Sequence, residues 1–317
     1  MNVCERRWRG CDQQFGTAWA VAIGVTAHES DEKSSSREIS RYLLINLNLK
    51  GSPLSRTKSG STRTLLRFGE TMATGVIRQS NHRSENLFFS GMAVLILATV
   101  FLGFARSYYL AGVFKAPLPN LIVHIHGAVF SSWILLLIAQ TSLVAADRVD
   151  LHRRLGLLGF GLACLVVVLG LLVATDSLAR HFAVGEPGAG ARAFYAIPLA
   201  EMLVFSTLIY FAFRNRFNPA AHKRLILIAT IALLDAAFIR WPIHVAWWDL
   251  RVAQMCCYSL LLLLIGYDLW STRKVHRATF WASVLLIVLQ QVRIPIGRTV
   301  PWQSFATWVQ NLARCFH

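Results

Sequence analysis

Two histidines, His124 and His126, sit near the start of the apolar run LIVHIHGAVFSSWILLLIAQTSLVAA at 121–146, and His152 opens the next run after a short charged turn. Imidazole is costly in hydrocarbon and is placed there for a partner or a task. Further on, His222 opens another run, and Arg240 and His244, four residues apart, share one face of a helix. Histidines from facing helices commonly hold haem iron. The chemistry these residues could do is therefore ligation of haem b and transfer of electrons.

The spacing sorts them into two layers. In the second apolar run His126 lies six or seven residues from the outer end, about 10 Å deep at 1.5 Å per residue. His244 lies four or five residues below the outer end of its own run, at a similar depth. His124 and His126 are about 200° apart round a helix, so at most one of them faces a central cavity, and His126 is the deeper. The outer site would be His126 and His244, with Arg240 beside it for a propionate or a quinone oxygen. The inner site would be His152 and His222, each just before an apolar run. The plainer reading of the inner pair is a boundary signal, because Arg153-Arg154 and Lys223-Arg224 follow directly. His181 and His276 read as loop residues.

Charges inside the apolar runs offer a second chemistry. Glu201, Asp235, Arg240 and Arg293 all fall there, with Gln140, Gln290 and Gln291. Such groups must pair or face water, so Glu201 or Asp235 is expected to pair with Arg240 or Arg293. A polar clamp holding a bundle together and a path for a proton or substrate account for them equally well.

The elements that carry these residues follow from composition. The chain has 317 residues, 55% of them hydrophobic, and the excess lies in runs of about 20 residues, long enough to cross a hydrocarbon core. Seven spans are expected, over 87–113, 120–146, 155–175, 194–213, 225–248, 252–270 and 278–296. The fold class is an all-α membrane bundle over 86–300. Residues 1–85 are polar and Ser/Arg-rich, a disordered tail or an upstream extension ahead of a start at Met72. Residues 301–317 suit a short amphipathic helix along the interface.

The formal charge of +16 does not point to nucleic acid, because many basic residues lie between the runs and no basic face interleaves with aromatics. Arg148, Arg153 and Arg154, then Arg214, Arg216, Lys223 and Arg224, then Arg273, Lys274 and Arg277 mark alternate loops. The positive-inside rule then puts the N-terminus in the cytoplasm and the C-terminus outside. The partner is the lipid bilayer, joined by a quinone or redox partner if haem is held. The six cysteines show no metal-ligand spacing and no disulfide framework.

IVHIHGAVFSSW (122–133), DLHRRLG (150–156) and AHKRLILIATIALLDAAFIRWP (221–242) resemble a family of uncharacterised bacterial multi-span membrane proteins, over most of 87–300. That resemblance implies a bacterial inner-membrane protein and carries no activity. The histidine layout is also loosely similar to transmembrane diheme cytochromes b, with His-x-x-Leu-Gly at 152–156 the nearest local echo. Three functional classes follow: a haem-linked redox protein, a transporter or proton-coupled permease, and a structural or assembly protein. A zinc hydrolase would need three convergent ligands and an open position, and the seventh expected span has no histidine.

Overall fold

The computed structural model describes residues 83–117, 119–183, 188–243 and 249–314, and the regular elements among them are all helical. Helix α1 (Arg83–Tyr109) closes in a π-helical turn at Ala105–Tyr109. It is followed by the single turn α2 (Ala111–Phe114). Then come α3 (Leu121–Ala145), α4 (Val149–Ala183), the short α5 (Gly188–Phe194) and α6 (Ala196–Arg214). Next are α7 (Pro219–Ile231), α8 (Asp235–Phe238), α9 (Leu250–Thr272), α10 (Arg277–Gly297) and α11 (Val300–Arg314). Among the described residues six helices are long and apolar enough to cross a membrane: α1, α3, α4, the α5–α6 stretch from Ala189, α9 and α10.

Helix starts are written in the sequence. Asn120 Oδ1 accepts from the backbone N–H of Val123, and Asn218 Oδ1 accepts from that of Ala221 with Pro219 opening α7. Asp249 Oδ1 accepts from the N–H groups of Arg251 and Val252. These side chains satisfy donors that the first helical turn leaves free. His276, expected to be a loop residue, caps α10 in the same way, its Nδ1 accepting from Ala278. Burial, and then the neighbouring Arg224, hold its imidazole below its usual pKa, which keeps that nitrogen an acceptor.

The fifth expected span, 225–248, is not one helix. α7 ends at Ile231, and Leu233 and Leu234 bond back three residues, to Thr230 and Ile231, a tightened 3₁₀ connection before α8 begins at Asp235. No proline or glycine lies between Pro219 and Pro242, so backbone chemistry does not prescribe the break. It coincides with Asp235, whose carboxylate takes three side-chain hydrogen bonds from other helices.

Broken or not, this rod runs the depth of its neighbours. Near its start Arg224 pairs with Asp268 towards the end of α9. At the break Asp235 meets Cys257, eleven residues back along α9. On α6 the same rod touches first the late residue Ala212, through His222, and then the early residue Glu201, through the shared Arg293. α6, the α7–α8 rod and α9 therefore alternate in direction, and the basic residues 148–154, 214–224 and 273–277 gather at one end.

The side chains are arranged as lipid demands rather than water. Leu157, Leu158, Leu262 and Trp270 are exposed while Asp235, Asp268, Gln290 and Arg293 are buried. Between the buried polar groups lies an apolar layer of Ile228, Ile231, Leu261, Leu264 and Leu286. α11 is two-faced: Ala306 and Gln310 are buried, with Gln310 Nε2 donating to the Leu178 carbonyl, and Phe305, Trp308 and Leu312 are exposed.

One glycine sets how closely two rods approach. A Cβ on Gly103 of α1 would lie 2.3 Å from the Ala237 carbonyl oxygen of α8, so the two backbones touch. Gly91, about three turns earlier, has nothing within 4 Å of such a Cβ. Gly103→Ala is expected to cost about 1–3 kcal/mol by overpacking. Gly91→Ala should be neutral or stabilising by up to about 1 kcal/mol, as alanine favours helix. Melting temperatures of the two variants in one detergent check the contrast.

Candidate functional site: a charged network at the helix break

At the break, four helices bring charge together out of water. Arg293 of α10 donates through Nη1 to Glu201 Oε1 of α6 at 3.0 Å and through Nη2 to Asp235 Oδ2 at 2.5 Å. The Arg293 and Asp235 side chains are 1% and 2% exposed and Glu201 is 12% exposed. Gln290, one turn earlier on α10, adds an Nε2 donor to the same Asp235 oxygen at 3.0 Å. Cys257 Sγ of α9 donates to the other oxygen at 3.0 Å. Asp235 is thus held from α9 and α10 at once, and one guanidinium bridges two carboxylates.

Both carboxylates pair with Arg293. Arg240 instead donates to the Ala236 carbonyl at 2.7 Å, and its guanidinium lies over the Phe104 ring at 5.1 Å. It stands close enough to Glu201 to interact electrostatically. Next to the network Gln291 Nε2 donates to the Tyr258 hydroxyl. Gln290 Oε1, Gln254 Nε2 and Arg293 Nε are buried with no hydrogen-bond partner among the described residues. In a low-dielectric interior such atoms are costly and are normally met by water or a ligand.

A second network closes the basic end. Arg224 donates through Nε and Nη2 to Asp268 Oδ1, at 3.0 and 2.6 Å. Asp268 Oδ2 accepts from Thr279 Oγ1 at 2.6 Å and from the His276 backbone N–H. The Asp268 side chain is fully buried. Lys223, beside Arg224 in sequence, points elsewhere: it pairs with Glu85 of α1 and lies over the Phe89 ring.

The histidines fall out differently. His152 and His222 do meet, with ring centroids 6.5 Å apart and planes near perpendicular. His222 Nδ1 bonds to the Ala212 carbonyl at 2.8 Å, leaving Nε2 free of that contact. His152 Nδ1 and, nearby on α3, Gln140 Oε1 are buried with no hydrogen-bond partner among the described residues. At the other end His126 stacks on Phe130, and its Nδ1 is buried with no hydrogen-bond partner among the described residues. His124 lies against the Tyr108 ring, whose hydroxyl donates to the His124 carbonyl. His244, the expected partner of His126, lies outside the described residues. Among those residues no group of three or more His, Cys, Asp or Glu could hold a metal ion.

Sequence reasoning missed Cys257, Asp268 and Thr279. Asp268 carried a signal, as an acid within the sixth apolar run. Cys257 carried none, because a cysteine in such a run reads as a small hydrophobe. Arg293→Ala would leave two carboxylates buried and unpaired, at an expected cost of about 3–5 kcal/mol. Lys223→Ala breaks a partly exposed pair worth about 0–1 kcal/mol. Thermal unfolding in detergent should show a deep loss for the first and little for the second; equal losses would refute this ranking of the networks. No family model matches the chain, and neither a curated protein nor a solved structure matches it.

Proposed function

We propose that this is a seven-crossing protein of a bacterial inner membrane that carries a small polar solute, with the Glu201–Arg293–Asp235 network and the adjoining Arg240 as its working centre. The observation behind this reading is a shared guanidinium and two carboxylates placed where a rod breaks inside an apolar bundle. Replacing a buried ion pair by packed apolar residues is often neutral or stabilising, so a network of this kind is retained for more than stability. Transporters build their binding sites at interrupted helices, and intramembrane charges mark solute and ion paths.

The seventh crossing is the α7–α8 rod. Its 20 residues from Pro219 to Phe238 span about 30 Å at 1.5 Å each, the thickness of a hydrocarbon core. The basic end faces the cytoplasm by the positive-inside rule, which puts the N-terminus inside, the C-terminus outside and the charged network towards the outer face. α11 lies along that outer interface with Phe305, Trp308 and Leu312 in lipid.

Electrometry on proteoliposomes tests the reading. Amino acids, small carboxylates and sugars are applied in turn under opposing pH gradients. At least one solute should evoke a transient current, and Asp235→Asn or Glu201→Gln should reduce it at least tenfold. Silence across the whole panel from well-folded protein would leave the network as a bundle clamp.

The inner histidines favour a second reading, in which His152 and His222 hold haem b and pass electrons to or from a quinone. Two imidazoles can share one metal at their 6.5 Å separation with metal–nitrogen bonds of about 2 Å, and the Ala212 carbonyl fixes the His222 tautomer as ligand histidines require. Bound haem would supply one-electron chemistry, and the two histidines would anchor and orient it. Protein from haem-sufficient cells should then show a Soret band that sharpens with dithionite and is lost in His222→Ala. A haem-free spectrum from monodisperse protein would end this reading and leave the transport reading untouched.

A further inference from the structure

Four of the seven buried residues of α10 are polar, Thr279, Ser283, Gln290 and Arg293, with Leu286 between them. The two ends of this series touch the two charged networks. Thr279 Oγ1 donates to Asp268 at one end; Gln290 and Arg293 donate to Asp235 at the other. Between the ends, Ser283 Oγ is buried without a hydrogen-bond partner among the described residues; so are Gln290 Oε1 at the Asp235 end and Gln254 Nε2, one turn past Cys257 on the far side of Asp235. Ser283, Gln290 and Gln254 are 5%, 2% and 4% exposed. These are atoms that ordered water normally meets, and Ser283 and Gln290 lie on the α10 face that runs from one carboxylate to the other.

The distances suit hopping. Thr279 and Arg293 are fourteen residues apart, about 21 Å along the helix at 1.5 Å per residue. The longest gap, from Ser283 past Leu286 to Gln290, is about 10 Å, which takes three waters in line at about 2.8 Å per hydrogen bond. Hydroxyls donate and accept at once, so Thr279 and Ser283 can pass a proton on. The amide of Gln290 cannot, and would orient the water.

We propose that this face of α10 is a proton path joining Asp268 to Asp235. The inference rests on the transport reading and names its coupling ion. A proton entering at the basic end reaches Asp268, moves by way of Thr279 and Ser283 along bridging water, and arrives on Asp235. Asp235 then carries no charge, and Arg293 is left to Glu201 alone, so the guanidinium that had been shared shifts its hold. The groups facing Asp235 are Arg293, Gln290, Cys257, Tyr258 and Glu201, with Arg240 beyond. Loss of the proton through the partly exposed Glu201 resets the pair. No electron moves, and the proton that enters is the proton that leaves.

The test uses the full chain in liposomes loaded with the pH dye pyranine, with a potassium diffusion potential set by valinomycin and no added solute. Wild-type vesicles should change internal pH at least tenfold faster than protein-free vesicles. Ser283→Ala, which removes a hydroxyl without adding bulk, and Gln290→Leu should each slow that change at least fivefold. Ser259→Leu, on the exposed side of α9, should leave it unaltered. Size-exclusion profiles confirm that each variant is folded. Wild-type flux no faster than lipid alone, or Ser283→Ala and Gln290→Leu as fast as wild type, would overturn the path. Solute-evoked current that persists in either case would show that the path fails and the transport reading survives. Absence of both pH change and current would remove the two together.

Discussion

Arg293 is the residue the interior cannot do without. A guanidinium buried this deeply needs compensation on both its edges, and it finds one carboxylate at the start of α6 and another at the break between α7 and α8. Each of those acids is in turn acceptable in an apolar bundle only because Arg293 is there. The mutual requirement fixes three helices against one another to the length of a hydrogen bond. It explains why the α7–α8 rod departs from a straight helix without any residue that breaks helices by itself: the carboxylate position is set by α9 and α10, and the backbone of α7 adjusts to deliver it.

The two charged layers answer different needs. Arg224 and Asp268 sit at the basic end, where the carboxylate accepts four hydrogen bonds, two at each oxygen. The Asp235 layer is open by comparison, with an amide oxygen, an amide nitrogen and a guanidinium nitrogen left over among the described residues. A purely structural clamp has no use for leftovers, since each costs about 1–3 kcal/mol when dry. An apolar layer of Ile228, Leu261, Leu264 and Leu286 packs between them.

The helices themselves were legible, because an apolar run of about 20 residues has few alternatives in lipid, and six of the seven expected runs appear as helices of that length. The break was not. Its cause is a set of contacts between Asp235 and residues 22, 55 and 58 positions away, which no local pattern announces. That buried acids would meet a buried arginine followed from the cost of charge; that Arg293 would take both and Arg240 neither depends on how the rods are turned. Lys223 and Arg224 show the same limit. As neighbours they read as one basic signal, yet successive helical residues diverge by about 100°, and one pairs on the half-exposed flank while the other is buried. The inner histidines were placed level by counting and do meet; the outer pair turns on His244, beyond the described residues.

The contact at Gly103 has a mechanical meaning when set beside the Glu85–Lys223 pair. α1 grips the broken rod near both ends, at Lys223 and at Ala237, with the Trp241 indole also donating to the Thr99 carbonyl. The break at 232–234 falls between these grips. A joint whose two arms are fastened to the same stiff member cannot swing like a door; it can only bow, as a stave bends against its string. α1 is that string, about 27 Å from Glu85 to Gly103 at 1.5 Å per residue, and any flexing at Asp235 must carry its neighbours α9 and α10 sideways while α1 keeps its length.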